Sequence, residues 1–248
     1  KNKNLFIVNT EKIQFKCYSI IIATGGISYP VLGVSNIGHL IAKKFGHKIV
    51  PLRPALCALK TKYFDSSLSG ISCPVEIKTS DRKFSDNLLF THFGIGGPAV
   101  YRASLSTGKF TINFIPNKNI YEILKSAKQT NGKKDISTIL GEYLPNKLAL
   151  FFLTSPHKNI ADFKDNELKA ISDKITNFEI SDYETIGMNA AEITFGGIDT
   201  KDISSKTMES LLCPGMFFSG EVMDISGDLG GFNLQWAFSS GVLAGRNA

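Results

Sequence analysis

The feature that most constrains this chain is an apolar run, Ile20-Ile21-Ile22-Ala23, that ends abruptly at Thr24-Gly25-Gly26. A continuous β-branched run suits a strand covered on both faces, as in α/β sheets. A strand closing in Thr-Gly-Gly puts backbone N–H groups at the carboxyl edge of such a sheet, where open α/β folds take ligands. A second transition follows near the C-terminus. Gly215-Met216-Phe217-Phe218-Ser219 reads as a buried strand ended by Gly220-Glu221, and the loop Gly227-Asp228-Leu229-Gly230-Gly231 leads into a helix from Asn233. Glu221 offers a carboxylate for ribose or ribityl hydroxyls. The helix N-terminus offers unpaired N–H groups and the positive end of its dipole to a developing negative charge. This pairing suits a flavin, whose ring gains negative charge on reduction. Gly-rich βα turns also occur without any cofactor, so the pattern alone leaves a dinucleotide-type ligand and a purely structural turn both open.

The rest of the chain divides by texture. Leu5–Val8 and Ile13–Cys17 flank a polar turn and predict a hairpin. A helix is expected after Asn36, with Leu40, Ile41 and Phe45 on one face and Gly46 closing it. From Pro51 short strand candidates (Leu52–Leu59, Val75–Lys78, Leu88–Thr91, Phe110–Phe114) alternate with Ser/Gly/Asp turns, as in a small antiparallel barrel or sheet. The period turns helical between Asn119 and Asn177, with stripes at Ile120/Ile123/Leu124, Ile136/Leu140/Leu144, Leu148–Leu153 and Leu168–Ile175. Strand character returns at Phe178–Tyr183 and Ala191–Gly197.

Composition sets limits on function. No apolar run reaches the roughly 18 residues of a membrane span, so no membrane role is expected. Cys17, Cys57, Cys73 and Cys213 are widely separated, which favours reduced thiols in the cytoplasm over disulfides or zinc, and no metal site is expected. The net charge is +6, but only four of the 28 basic residues are arginine, the residue groove readers lean on. Nucleic acid is therefore set aside as a partner. His92, in a Thr-His-Phe-Gly loop before Gly97-Pro98, is the candidate acid/base residue, though such a histidine often only bonds its own loop. His39, His47 and His157 are expected in solvent, and Trp236 and Phe238 in the core.

Four segments carry a family resemblance: Ile21–Pro30, Phe90–Ala99, Ala191–Gly197 and Phe218-Ser219-Gly220-Glu221 through Gly241. In order and spread over nearly the whole chain, they resemble the BaiN/YhiN-like flavoproteins, often labelled aminoacetone oxidase family FAD-binding enzymes. The resemblance implies an α/β fold: a glutathione-reductase-like FAD-binding domain interrupted by an insert with a β-barrel part and a small helical part. On it, residues 1–50 and 205–248 form the FAD-binding domain, 51–118 the barrel part, 119–177 the helical part and 178–204 the barrel return. It further implies that Thr24, Gly25 and Gly26 lie along the FAD and that Gly220 and Glu221 serve the ribityl region. Gly230, Gly231, Phe232 and Asn233 would meet the isoalloxazine edge.

The chain departs from that family in three places. The family's opening strand–Gly-x-Gly-x-x-Gly–helix unit is not supplied by the four residues before Leu5. Val34-Ser35-Asn36-Ile37-Gly38 replaces the usual Ser-Thr-Gly-Asp-Gly, and Ser226 and Leu229 stand where Asp and Thr are usual. The expectation is thus an incomplete FAD-binding domain: the C-terminal portion of an FAD-dependent oxidoreductase passing hydride between NAD(P)H or an organic substrate and flavin. Its expected partners are a small-molecule substrate, NAD(P)H, and either a second copy or a complementing N-terminal chain. The competing expectation is a non-catalytic remnant or interaction domain that no longer binds flavin.

Overall fold

In the computed structural model, which describes residues 5–248, the chain divides into two units. One is built from the chain up to Leu56 together with Ile186–Ala248, the other from Cys57–Thr185. The first opens with the hairpin of Phe6–Asn9 (β1) and Gln14–Cys17 (β2), paired antiparallel. Thr10 closes its turn by exchanging hydrogen bonds with Ile13. Ile20–Ile22 (β3) and the helix Ile37–Lys44 (α1) follow, then Ile49–Ala55 (β4).

Helix α1 buries only part of the face its pattern suggested: Ile41 and Phe45 pack against the core, but Leu40 does not. Leu40 is 52% exposed, while Gly38, His39 and Ala42 are buried. The reason is a close approach at Gly38: a Cβ there would run into the Thr24 hydroxyl and crowd Ile22 and Val222. Gly38 and Ala42 are one turn apart, so that face turns inward and Leu40 turns out.

The unit Cys57–Thr185 contributes Leu59–Lys60 (β5), Ser72–Lys78 (β6), Lys83–Thr91 (β7), Gly94–Gly96 (β8), Pro98–Ala103 (α2) and Phe110–Asn113 (β9). Helices Ile120–Thr130 (α3), Ile136–Leu140 (α4), Asn146–Phe151 (α5) and Asp165–Thr176 (α6) come next, then Phe178–Ile180 (β10) and Glu184–Thr185 (β11). The strands form one antiparallel sheet ordered β10-β9-β6-β7-β8-β5-β11. Its two edge strands are joined by Ser181–Tyr183 alone, a link that reaches at most about 14 Å, so the sheet is curled until its edges nearly meet. Its core runs from Val75, Ile77 and Leu88 in the sheet to Leu124, Leu140 and Leu168 in the helices.

Back in the first unit, Ile193–Ile198 (β12) pairs antiparallel with β4, and Met216–Phe218 (β13) pairs parallel with β3. The helix Phe232–Asn247 (α7) ends the chain. Ile22, Ala42, Phe217, Phe218, Val222 and Ala244 belong to the core of this unit. Strand β3 is not covered on both faces as expected: β13 is its one sheet partner among the described residues, and Ile21 is exposed. Phe238 is not core either. It is 71% exposed and forms an apolar stripe with Leu234 and Val242 at helical spacing on α7. Among the described residues no helix is long and apolar enough to cross a membrane.

Two histidines expected in solvent are buried here. His39 is 4% exposed and neither ring nitrogen meets a hydrogen-bond partner of good geometry; His47 is 2% exposed, with Nε2 2.8 Å from Ser210 Oγ and its ring edge-on to Phe218. Burial pushes both imidazoles below the usual histidine range, offset in part by the Val222 backbone at His39 and by the Asp202 charge at His47. The unfolded chain takes these protons near pH 6.5, the folded chain only at lower pH. Stability is therefore highest above pH 6.5 and falls as pH drops below it, by at most about 1.4 kcal/mol per pH unit for each histidine. Urea midpoints at pH 7.5 and 5.5 will show this, and His39→Leu will flatten the slope; an unchanged slope in that variant would show His39 to be solvated.

Candidate functional site

Strands β3 and β13 run parallel with Ile20, Ile21 and Ile22 opposite Met216, Phe217 and Phe218. Their carboxyl ends therefore lie side by side, and Ser219 N donates to the Ile22 carbonyl at 3.1 Å. Just beyond, the two glycine turns are stitched together by a residue of β12. Thr194 is fully buried, and its Oγ1 accepts from Ile27 N (2.7 Å) and Ser28 N (3.1 Å) and lies 3.0 Å from Ser28 Oγ. Thr194 N donates to Glu221 Oε1 at 2.5 Å. A Cβ on Gly26 would collide with both the Thr194 hydroxyl and the Glu221 carboxylate. Gly26 is thus required by the packing of the protein against itself. Burial pushes the Glu221 carboxyl up from the usual range, against the pull of the Thr194 hydrogen bonds.

The second turn is equally well held. Asn233 closes the loop before α7 on itself, its Oδ1 accepting from Gly227 N (2.8 Å) and its Nδ2 donating to Gly227 O (3.1 Å). Gly231 caps the helix at φ +87°, a conformation that favours glycine, and no side chain caps the first turn. The N–H groups of Phe232, Asn233 and Leu234 thus have no partner in a preceding turn. Ser240 Oγ accepts from Gly220 N (2.9 Å), and Trp236 Nε1 donates to Gly220 O (3.3 Å), fixing the helix to the end of β13.

A cavity of about 360 Å³ opens where these parts meet, walled by Leu56, Ile193, Glu221, Gly230, Asn233 and Ala237 among others. That volume lies within the roughly 300–1,000 Å³ of small-molecule sites. Of the residues singled out in the sequence, Glu221, Gly230, Gly231 and Asn233 line it; Thr24, Gly25, Gly26, Gly220 and Phe232 do not. Thr24 is exposed, with its hydroxyl against Gly38, and Phe232 is 59% exposed. His92 belongs to the other unit, on an exposed turn between β7 and β8, its ring edge-on to Phe93. Sequence reading missed Thr194, Leu56, Ile193 and Ala237. Thr194 stands in the Ala191–Gly197 motif, but nothing in that motif says which partners a threonine hydroxyl will find.

Chemically the cavity offers apolar walls, three acidic residues (Glu192, Glu221 and Asp228), of which Glu221 has its proton affinity raised by burial, and an uncapped helix N-terminus. The helix N-terminus is the part of this set that suits a flat group acquiring negative charge along one edge.

The HI0933-like protein Rossmann domain family matches residues 1–247. A ribosomal RNA dihydrouridine synthase of Haemophilus influenzae is 41% identical over 245 residues, covering 95% of this chain and 61% of that protein. A protein of the same description from Escherichia coli is 34% identical, covering 97% of this chain and 63% of its own length. A 3-dehydro-bile acid delta(4,6)-reductase of Clostridium scindens is 28% identical, with 98% of this chain and 65% of that protein covered. The chain thus spans less than two thirds of the length of each of these relatives.

Proposed function

The chain belongs to the HI0933-like Rossmann-domain family, and on that premise we propose that it forms the flavin-ring end of an FAD-dependent reductase that saturates a carbon–carbon double bond. The carrying observation is the cavity in which Glu221 and the uncapped start of α7 converge. In this reading the unit holding the cavity is a glutathione-reductase-like FAD-binding domain, and Cys57–Thr185 is the insert. The residues present fit the ring end of the cofactor: Gly230 and Gly231 leave a side-chain-free floor, and Leu56, Ile193 and Ala237 give it apolar walls. FAD supplies the hydride chemistry when bound. The chain's own part is to place the ring, to meet negative charge at the N–H groups of Phe232, Asn233 and Leu234, and to hold a proton at Glu221. Thr24, Gly25, Gly26 and Gly220 act one layer out, fixing the two turns.

The names of the three relatives share one chemistry. Dihydrouridine is uridine with hydrogen added across its ring double bond, and a delta(4,6)-reductase likewise removes unsaturation. The net reaction adds a hydride to one carbon of the double bond and a proton to its neighbour, with NAD(P)H as the source of the electron pair. The two relatives of higher identity are named for ribosomal RNA, so a uridine in RNA is the proposed substrate class. This departs from the small-molecule substrate and the absence of nucleic acid expected from the scarcity of arginine.

A visible absorbance spectrum of the purified chain, before and after addition of FAD and removal of the excess, tests the reading. Retained flavin bands that bleach on adding NADPH, and recover when uridine-containing RNA is supplied, are expected. A colourless chain with intact circular dichroism would sink it. That outcome would favour the second reading, an interaction domain without flavin, which the exposed stripe Leu234–Phe238–Val242 also supports.

A further inference from the structure

A second groove lies within the Cys57–Thr185 unit, between the first turn of α3 and the C-terminal half of α6. It holds about 430 Å³ and is lined by Asn113, Lys118, Asn119, Tyr121, Lys169 and Asn177, among others. Its amides are only half used. Asn113 and Asn119 commit Oδ1 to backbone, accepting from Ile115 N (2.9 Å) and Glu122 N (3.3 Å), while their Nδ2 groups bond nothing among the described residues. Asn177 donates from Nδ2 to Thr176 Oγ1 and keeps its Oδ1. Donors and acceptors of this kind match the edges of bases.

In and beside the groove, which Lys118, Tyr121 and Lys169 line, lysines stand near half-buried aromatic rings. Lys118 Nζ stands 5.3 Å from the Tyr143 ring centre, and Lys125 and Lys169 stand 5.9 and 5.8 Å from that of Tyr121. Lys118 forms no ion pair among the described residues, and Lys125 lies within electrostatic reach of the Asp165 carboxylate; Lys169 pairs at 2.6 Å with Asp173, which also lines the groove. An ammonium resting on a ring holds a place that a base can take, freeing the charge for a phosphate. Duplex grooves call for arginine forks, which this chain largely lacks. Unstacked bases, which stack on exposed rings and bond through their edges, fit the composition better.

We propose that this groove binds a single-stranded segment of RNA, with Tyr121 stacking on a base, Lys118, Lys125 and Lys169 meeting phosphates, and the asparagines touching base edges. The inference rests on the RNA reading of the substrate given above. It places RNA recognition on the unit that does not hold the flavin-type cavity, so it can be tested without cofactor or turnover.

The test is fluorescence anisotropy of the full chain with a labelled single-stranded oligouridylate across a salt series. Lys118→Ala/Lys169→Ala should weaken binding about tenfold or more at low salt and lower the salt slope by about one to two. Tyr121→Leu, which keeps an apolar group in place, should weaken it about fivefold or more. Lys43→Ala/Lys44→Ala, an equal loss of charge on α1, should bind as the parent does; circular dichroism will verify that each variant is folded. Equal losses in the groove and control pairs would mean binding by net charge alone and overturn the groove. So would groove variants that bind as the parent does, with the RNA reading left standing. A parent chain that fails to bind the probe at low salt would overturn the RNA reading and this inference together.

Discussion

Thr194→Val is expected to lower the unfolding free energy of its unit by about 2–4 kcal/mol. The side chain is fully buried, and its hydroxyl serves Ile27 N, Ser28 N and Ser28 Oγ at once. Valine keeps the shape and removes the acceptor, so two backbone N–H groups in a part-buried turn are left without a partner. Each such group costs about 1–3 kcal/mol, more than the hydrogen bond contributes in net terms. Thr194→Ser isolates the cause, because it keeps the oxygen and loses one methyl, at about 1 kcal/mol. Trp236, the sole tryptophan, lies in the same unit, so its fluorescence in a urea titration reports on this unit and not on Cys57–Thr185. Valine milder than serine would mean that the hydroxyl is not the stitch between the turns.

Much of the fold was legible because it is local. The hairpin of β1 and β2, the strands β3 and β13 before their glycines, and the helical run from α3 to α6 follow from periodicity and turn residues, which act over a few positions. What periodicity does not carry is which face of an element meets which neighbour. Leu40 and Phe238 look like core by residue type, and His39 and His47 look like surface. In the structure Leu40, His39 and Phe238 exchange roles because Gly38 sets the roll of α1 and Ser240 and Trp236 set that of α7, while His47, in the loop after α1, is buried against Ser210 and Phe218.

The candidate site divides the same way. Glu221, Gly230, Gly231 and Asn233 reach the cavity because strand, turn and helix N-terminus are consecutive in the chain, so their placement is fixed by one local transition. Thr24, Gly25 and Gly26 sit on a parallel neighbour, and the sequence does not tell whether a glycine there makes room for a ligand or for the protein. At Gly26 it is the protein, through a residue 168 positions away, since 194 − 26 = 168. Asn233, singled out for a ligand, lines the cavity while its side chain closes its own loop.

Gly26 is where that distinction yields the largest expected effect. Gly26→Ala places a Cβ in space filled by Thr194 Oγ1 and Cβ and by Glu221 Oε1. The threonine is fully buried and tied by its hydrogen bonds, so the relief must come from the Glu221 side chain or from the turn itself. Overpacking of this kind costs about 1–3 kcal/mol, and breaking the Thr194–Glu221 bond adds about 1–2 kcal/mol. Gly25→Ala is the fitting comparison: its φ of +71° carries a backbone penalty of about 1–2 kcal/mol, yet a Cβ there meets nothing within 4 Å. The expected order of urea midpoints is parent, then Gly25→Ala, then Gly26→Ala. A double variant with Glu221→Ala should recover part of the Gly26→Ala loss, with a coupling of about 1 kcal/mol or more. Recovery would show that the carboxylate and the glycine share one packed contact. Additive losses, or a Gly26→Ala chain as stable as the Gly25→Ala one, would mean the two turns are not pressed together through Thr194 and Glu221.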